Sequence, residues 1–302
     1  MTEKNLEKRN DISLPVWARI VLIIISYLIL STIFQIIGML MANISITDKK
    51  VLENLSLNQL LIVQPFGFIA LIIIVYIFRK FIDEKSIRSI GFSLINRIND
   101  IIAGFIIALS IIGGGSLILY ILGYIDFSNI QFDLQSLLLS FCLFIIVSLN
   151  EEILIRGYIL NNLLTTMNKY FALIISAIIF TLFHSFNSDL SLIGIINLFL
   201  AGMLLGSTYI FTKNLWFPIS LHLFWNFLQG PVLGYSVSGQ KIDSLLKLKR
   251  IGNETINGGE FGFEGSIICT VITIVSIIII MTYYNKKPAR ADLQSVPLTE
   301  NL

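Results

Sequence analysis

Apolar residues run along this chain in long blocks, without the regular polar interruptions of a soluble fold. The blocks are Val16–Ala42, Leu60–Phe78, Ile101–Leu122, Gln135–Ile155 (running on as a helix), Tyr170–Phe183, Leu190–Phe211, Leu215–Gln229 and Ile267–Tyr284. A helix needs ~20 apolar residues to cross a bilayer. The pattern therefore predicts an all-α, polytopic membrane bundle of about eight transmembrane helices. The fifth and seventh blocks are short, and helices that start or stop inside a bundle border cavities. The first block is too long for a signal-peptide core and reads as a retained span.

The segments between the blocks predict connectors. Phe81–Asp100 is charged and reads as a partly amphipathic linker. Gly230–Gly265 is rich in Gly, Ser and Asn and reads as a loop able to serve as a lid. From Lys286 onward the chain is polar, and a tail is expected over 286–302. No internal repeat is visible. The 302 residues predict one integral membrane domain, with its chemistry concentrated in 135–229.

Composition sharpens this picture in two ways. The chain is 55% hydrophobic and 13% charged, so membrane lipid is its surroundings. Its net charge of +2 is too small to suggest nucleic-acid binding, and no nucleic-acid partner is expected. With both termini in the cytoplasm, 15 Lys and Arg fall inside against 6 outside, as the positive-inside bias requires. The exception is the loop 230–265, whose four basic residues would lie outside. Cys142 and Cys269 sit far apart inside apolar blocks and read as reduced thiols.

Two adjacent carboxylates, Glu151 and Glu152, interrupt the fourth block after the fifteen uncharged residues Gln135–Leu149 and Asn150. An ionised group in hydrocarbon loses its hydration, so such a pair must face a protein or water-filled interior. Glu152 and Arg156 are four apart on a helix and can pair. Glu151 stands ~100° round the helix from Glu152 and is less readily neutralised. The reading is an internal brace, Glu152–Arg156, beside a working carboxylate, Glu151.

The chain has two histidines, both in apolar blocks. Phe180 and His184 share one helical face, as do His222 and Asn226. If the fourth and fifth helices turn near Asn168, Glu151 and His184 both lie ~25 Å from the turn at ~1.5 Å per residue. His222, in the middle of the short seventh helix, can reach that level. Gly202 and Gly206 on the sixth helix form a small-xxx-small face suited to close packing.

The ordered set Glu151-Glu152-xxx-Arg156, Phe180-xxx-His184 and His222-xxx-Asn226 resembles the CAAX-protease and bacteriocin-processing family of intramembrane endopeptidases. That family includes the type II CAAX prenyl endopeptidases. The resemblance implies peptide hydrolysis within the membrane, with Glu151, assisted by His184, activating water as general base. It implies that His222 and Asn226 donate to the oxyanion, with Glu152, Arg156 and Phe180 supporting. No cofactor is favoured; if zinc takes part, Glu151, His184 and His222 are its expected ligands. Expected substrates are membrane-associated peptides or proteins, of prenylated Cys-a-a-X or bacteriocin-like type, in a bacterial plasma membrane. Two other classes compete. A bacteriocin self-immunity protein would bind without cleaving, and a proton-coupled transporter would use intramembrane Glu and His as a relay. Against transport, no inverted repeat or matching pair of broken helices is visible.

Overall fold

The computed structural model describes residues 14–48 and 55–286. The polar tail expected over 286–302 lies outside them beyond Lys286, as do Lys4, Lys8, Arg9, Lys49, Lys50, Lys287 and Arg290 from the charge count.

Eight apolar helices of ten or more residues appear among the described residues. They are α1 (Val16–Met41), α2 (Leu57–Ile82), α3 (Ile98–Ile121), α4 (Leu134–Leu163), α5 (Lys169–Phe183), α6 (Leu192–Thr212), α7 (Trp216–Phe227) and α8 (Ile267–Lys286). Six are long and apolar enough to span a membrane, whereas α5 and α7 have only 15 and 12 residues. These are the two blocks expected to be short. The α7 helix runs on through a widened turn, Leu228–Val232. The chain is a polytopic helical bundle, as its hydropathy predicts.

Helix starts follow local chemistry. Ser56 and Gln59 form a reciprocal capping box on α2, and the side chains of Asp133, Asn168 and Ser191 accept backbone N–H groups at the starts of α4, α5 and α6. Such caps satisfy donors that the first turn leaves free. After Glu152, α4 widens into a π-helical stretch, Ile153–Leu160, every residue of which is buried. Stretches of this kind are rare and concentrate at functional sites.

Close helix approaches depend on glycine. A Cβ on Gly202 would lie 2.9 Å from the Ala177 Cα, and one on Gly206 would lie 2.4 Å from Leu173 Cδ1. The small-xxx-small face thus seats α6 against α5. Gly104 does the same for α3 on α7, where a Cβ would stand 2.7 Å from the Leu221 nitrogen. Ser220 Oγ locks that contact by donating to Ile101 O at 2.7 Å.

Both long connectors are tied down more than their composition suggests. Within the 81–100 segment, Asp83 is buried and accepts from Arg79 (3.0 Å), Arg19 (3.1 Å), Asn162 (3.2 Å) and Tyr158 (3.3 Å). Asn161 and Asn162, to which sequence gave no role, anchor this segment; Asn161 Nδ2 reaches Ser89 O and the Tyr209 hydroxyl. Leu215 N and Trp216 Nε1 donate to Gly91 O and Phe92 O, which fastens the same segment to the start of α7.

At the other end, β1 (Ile125–Ile130) pairs antiparallel with β2 (Leu246–Arg250), a small ladder the hydrophobic pattern did not signal. The loop 230–265 is a packed structure, with Tyr235, Phe261 and Phe263 buried in the main core. Its cationic side chains are partly neutralised: Lys241 lies 2.9 Å from Glu260, and Arg250 pairs with the same carboxylate. The hydrogen bond from Lys241, opposed by partial burial and aided by Arg250, holds Glu260 below the usual carboxylate range.

Gly202→Leu forces α5 and α6 apart, because the obstructing atom is backbone. We expect a cost of about 1–3 kcal/mol and a lower thermal midpoint in detergent. Gly114→Leu, where nothing lies within 4 Å of the added Cβ, is the control and leaves the midpoint near wild type. Equal midpoints for the two variants would show that the Gly202 contact is not needed.

Candidate active site

The four helices α4, α5, α6 and α7 bring the predicted residues together, and each arrives by an identifiable local device. Glu152 and Arg156 form the expected i,i+4 pair at 2.8 Å, both fully buried. Arg156 also donates to Gly202 O at 3.1 Å and lies over the Phe180 ring at 4.6 Å. Gly202 therefore serves two contacts: its missing side chain admits α5, and its carbonyl is the guanidinium's second acceptor.

Phe180 is the hinge of the arrangement. Its carbonyl oxygen stands 2.8 Å from His184 Nδ1 at the end of α5, and its ring packs on His184 and edge-on to His222. A carbonyl oxygen can only accept, so Nδ1 carries the proton and Nε2 faces outward. That Nε2 lies 3.6 Å from Glu151 Oε2. The two groups occupy the same level, as the count of residues from the turn requires.

His222, held on α7, donates Nδ1–H to Glu152 Oε1 at 2.8 Å. Its Nε2 then points towards Glu151 Oε2, 3.9 Å away. One oxygen of Glu152 thus binds both Arg156 and His222. Glu151 lacks such a partner: its Oε2 is buried without a hydrogen bond, while its side chain as a whole is 27% exposed. Asn226 is buried one turn beyond His222 and lines the same cavity.

That cavity has a volume of about 590 Å³. Glu151, His184, His222 and Asn226 all line it. Trp225 and Phe183, which no motif marks, line it too. Trp225 does so because its Nε1–H donates at 3.1 Å to Glu264, a buried carboxylate from the loop 230–265. Glu264 also accepts the backbone N–H and the hydroxyl of Ser238, both at 2.8 Å. The turn Val237–Gln240 is thereby pinned as a wall of the cavity. No sequence signal marked Glu264, since it sits among glycines well past the last motif. Asn197 steadies its backbone from α6 by donating to Glu264 O and Ser266 O.

The conditional zinc ligands can be checked for spacing. Tetrahedral zinc with bonds near 2.0–2.1 Å sets its ligand atoms about 3.3 Å apart. The two histidine nitrogens stand 3.6 and 3.9 Å from Glu151 Oε2. Among the described residues, no group of three His, Cys, Asp or Glu side chains has the arrangement of a metal site.

Residues 133–228 match the family described as type II CAAX prenyl endopeptidase Rce1-like. The match covers roughly a third of the chain, from the start of α4 to the end of α7, and contains every residue of the three motifs. It supports the CAAX-protease family read from those motifs, and a CAAX-type intramembrane protease in general. No curated protein matches the chain.

Glu264→Ala removes the acceptor of three hydrogen bonds and should release the Val237–Gln240 turn. We expect the Ser238 amide to exchange with solvent at least about tenfold faster, consistent with loss of charge-assisted hydrogen bonds. Unchanged exchange would mean that other contacts hold the turn.

Proposed function

We propose that the chain is an intramembrane endopeptidase in which a glutamate activates water to hydrolyse peptide bonds of membrane-associated substrates. The observation that carries this reading is the meeting of Glu151 with the outward Nε2 atoms of both histidines in one cavity. In this reading Glu151 is the general base, and His184 Nε2, lacking a proton, accepts the water's second hydrogen bond. The water gives its proton to Glu151 while its oxygen bonds to the scissile carbonyl carbon. The carbonyl π pair moves onto oxygen, where His222 Nε2–H (in its doubly protonated form) and the Asn226 amide donate. Collapse re-forms the carbonyl and breaks the C–N bond, and the departing nitrogen takes the proton from Glu151.

Glu152 and Arg156 are supporting groups here: the first orients His222, the second fixes Glu152. The spacing of the three side chains favours this route over zinc, for which Glu151, His184 and His222 would be the ligands. The chain acts as a single membrane domain, 1–302, with both termini on the cytoplasmic side of a plasma membrane. Substrates are peptide segments delivered in the membrane, prenylated Cys-a-a-X or bacteriocin-like proteins among them. The self-immunity reading keeps the same cavity as a binding site without chemistry. The location of both histidines around a free carboxylate favours catalysis over it.

Purified protein and a panel of prenylated and unprenylated membrane-presented peptides test the proposal. Glu151→Gln should lower kcat by about 10²–10⁴, and His184→Ala and His222→Ala should each abolish measurable cleavage while the protein stays folded. Cleavage should survive a strong chelator. Full activity in all three variants would overturn the assignment, and chelator-sensitive cleavage would restore the zinc route.

A further inference from the structure

The cavity carries a second set of polar groups outside the matched segment. From α1 come Tyr27 and Gln35, and from α2 comes Gln64; all three line the cavity. Next to Glu151, Asn150 Nδ2 donates to the Tyr27 hydroxyl oxygen at 2.8 Å, so the phenol's own hydrogen remains free for another acceptor. Gln35 and Gln64 make no hydrogen bond among the described residues. Away from water, an unpaired amide in a spanning helix is costly, and α1 is otherwise an apolar helix turned mostly to lipid.

Geometry gives these groups an order. Gln35 and Gln64 lie six and seven residues from the ends of α1 and α2 that adjoin their connector, about 10 Å down at 1.5 Å per residue. Tyr27 is eight residues deeper on α1, about 12 Å further along, and level with the residue preceding Glu151. An extended chain advances about 3.3 Å per residue, so the interval from Gln35 to Tyr27 suits three or four residues. A glutamine amide offers both a donor and an acceptor, the pair that a backbone peptide group presents. Between the polar groups the walls are apolar, with Met39, Val63 and Leu143 able to receive side chains.

From this, resting on the endopeptidase reading above, we propose that Tyr27, Gln35 and Gln64 form a track that binds three or four residues of extended substrate backbone on one side of the scissile bond. The ligand class is an unfolded polypeptide segment, recognised through its main chain more than its side chains. Substrate therefore approaches Glu151 along α1 and α2, elements that lie outside the family match.

The test is a length series of membrane-presented peptides extended by one to five residues on either side of the cleaved bond. For the wild type, kcat/KM should rise about tenfold over three or four added residues on one side and then level off, as expected for one or two backbone hydrogen bonds. Gln35→Leu and Gln64→Leu should cleave the shortest peptide at the wild-type rate and lose most of that rise. Tyr27→Phe should lose the first step of the series, with an unchanged thermal midpoint. If the glutamine variants keep the full length advantage, or slow short and long peptides equally, the track is wrong and the catalytic reading stands. If the wild type cleaves no peptide of any length, the endopeptidase reading falls and the track with it.

Discussion

Everything at the centre of this molecule depends on one oxygen, Oε1 of Glu152, which accepts from Arg156 and from His222 at 2.8 Å each. A fully buried carboxylate is tolerable only when paired and hydrogen-bonded. Here the pairing spans two helices, so satisfying the charge on α4 also fixes the position and tautomer of a histidine on α7. Arg156 adds a third helix through Gly202 O and a fourth through the Phe180 ring. Buried ion pairs contribute little net stability compared with apolar packing, but removing one partner strands a charge. The cluster is better understood as a device for specifying geometry than as a source of folding energy.

The same constraint explains why two adjacent glutamates have different fates. Glu152 is spoken for by Arg156 and His222, whereas Glu151 projects from another face of the helix and meets only histidine nitrogens beyond hydrogen-bond distance. Glu152 Oε1 already holds two donors and is a poor base, and its Oε2, though without a partner, is fully buried and does not line the cavity. A carboxylate left unpaired at the wall of a cavity retains its capacity for a proton. The roles proposed for the pair thus follow from which neighbour each can reach around the helix.

How far the sequence led depended on whether a feature is encoded locally. Eight blocks of apolar residues became eight helices among the described residues, most within a few residues of the expected ends, and six of these are long and apolar enough to span a membrane, because length and hydropathy are written locally. The meeting of Glu151 with His184 was legible from a count of residues on either side of a turn, and Glu152–Arg156 from helical period. What the sequence hid was long-range. Asp83, in a segment that reads as a free charged linker, is buried because Arg19, Arg79, Tyr158 and Asn162 converge on it from three other places in the chain. Glu264 is hidden for the same reason, as its partners Trp225 and Ser238 lie 39 and 26 residues away. Glycine-rich composition, which reads as looseness, here permits tight backbone contact: a Cβ at Gly262 would come 2.0 Å from Ser236 O.

The loop and the first two helices also bear on how one reaction can serve different substrates. The motifs occupy α4 to α7, where ring orientation and helix level leave little latitude. The walls that a substrate would meet before reaching Glu151 come from elsewhere: α1 and α2 on one side, the Val237–Gln240 turn on another. Among the described residues, hydrogen bonds tie these walls to α4–α7 at Asn150–Tyr27, through Asp83 to Tyr158 and Asn162, and at the loop through Trp225 and Asn197 to Glu264 and Gln229 to Ser236; none uses the side chain of Gln35 or Gln240. Residues such as Gln35 or Gln240 can therefore change without moving either histidine. In the proposed reading, a fold built this way separates the chemistry from the choice of substrate, with those few hydrogen bonds as the joints between them.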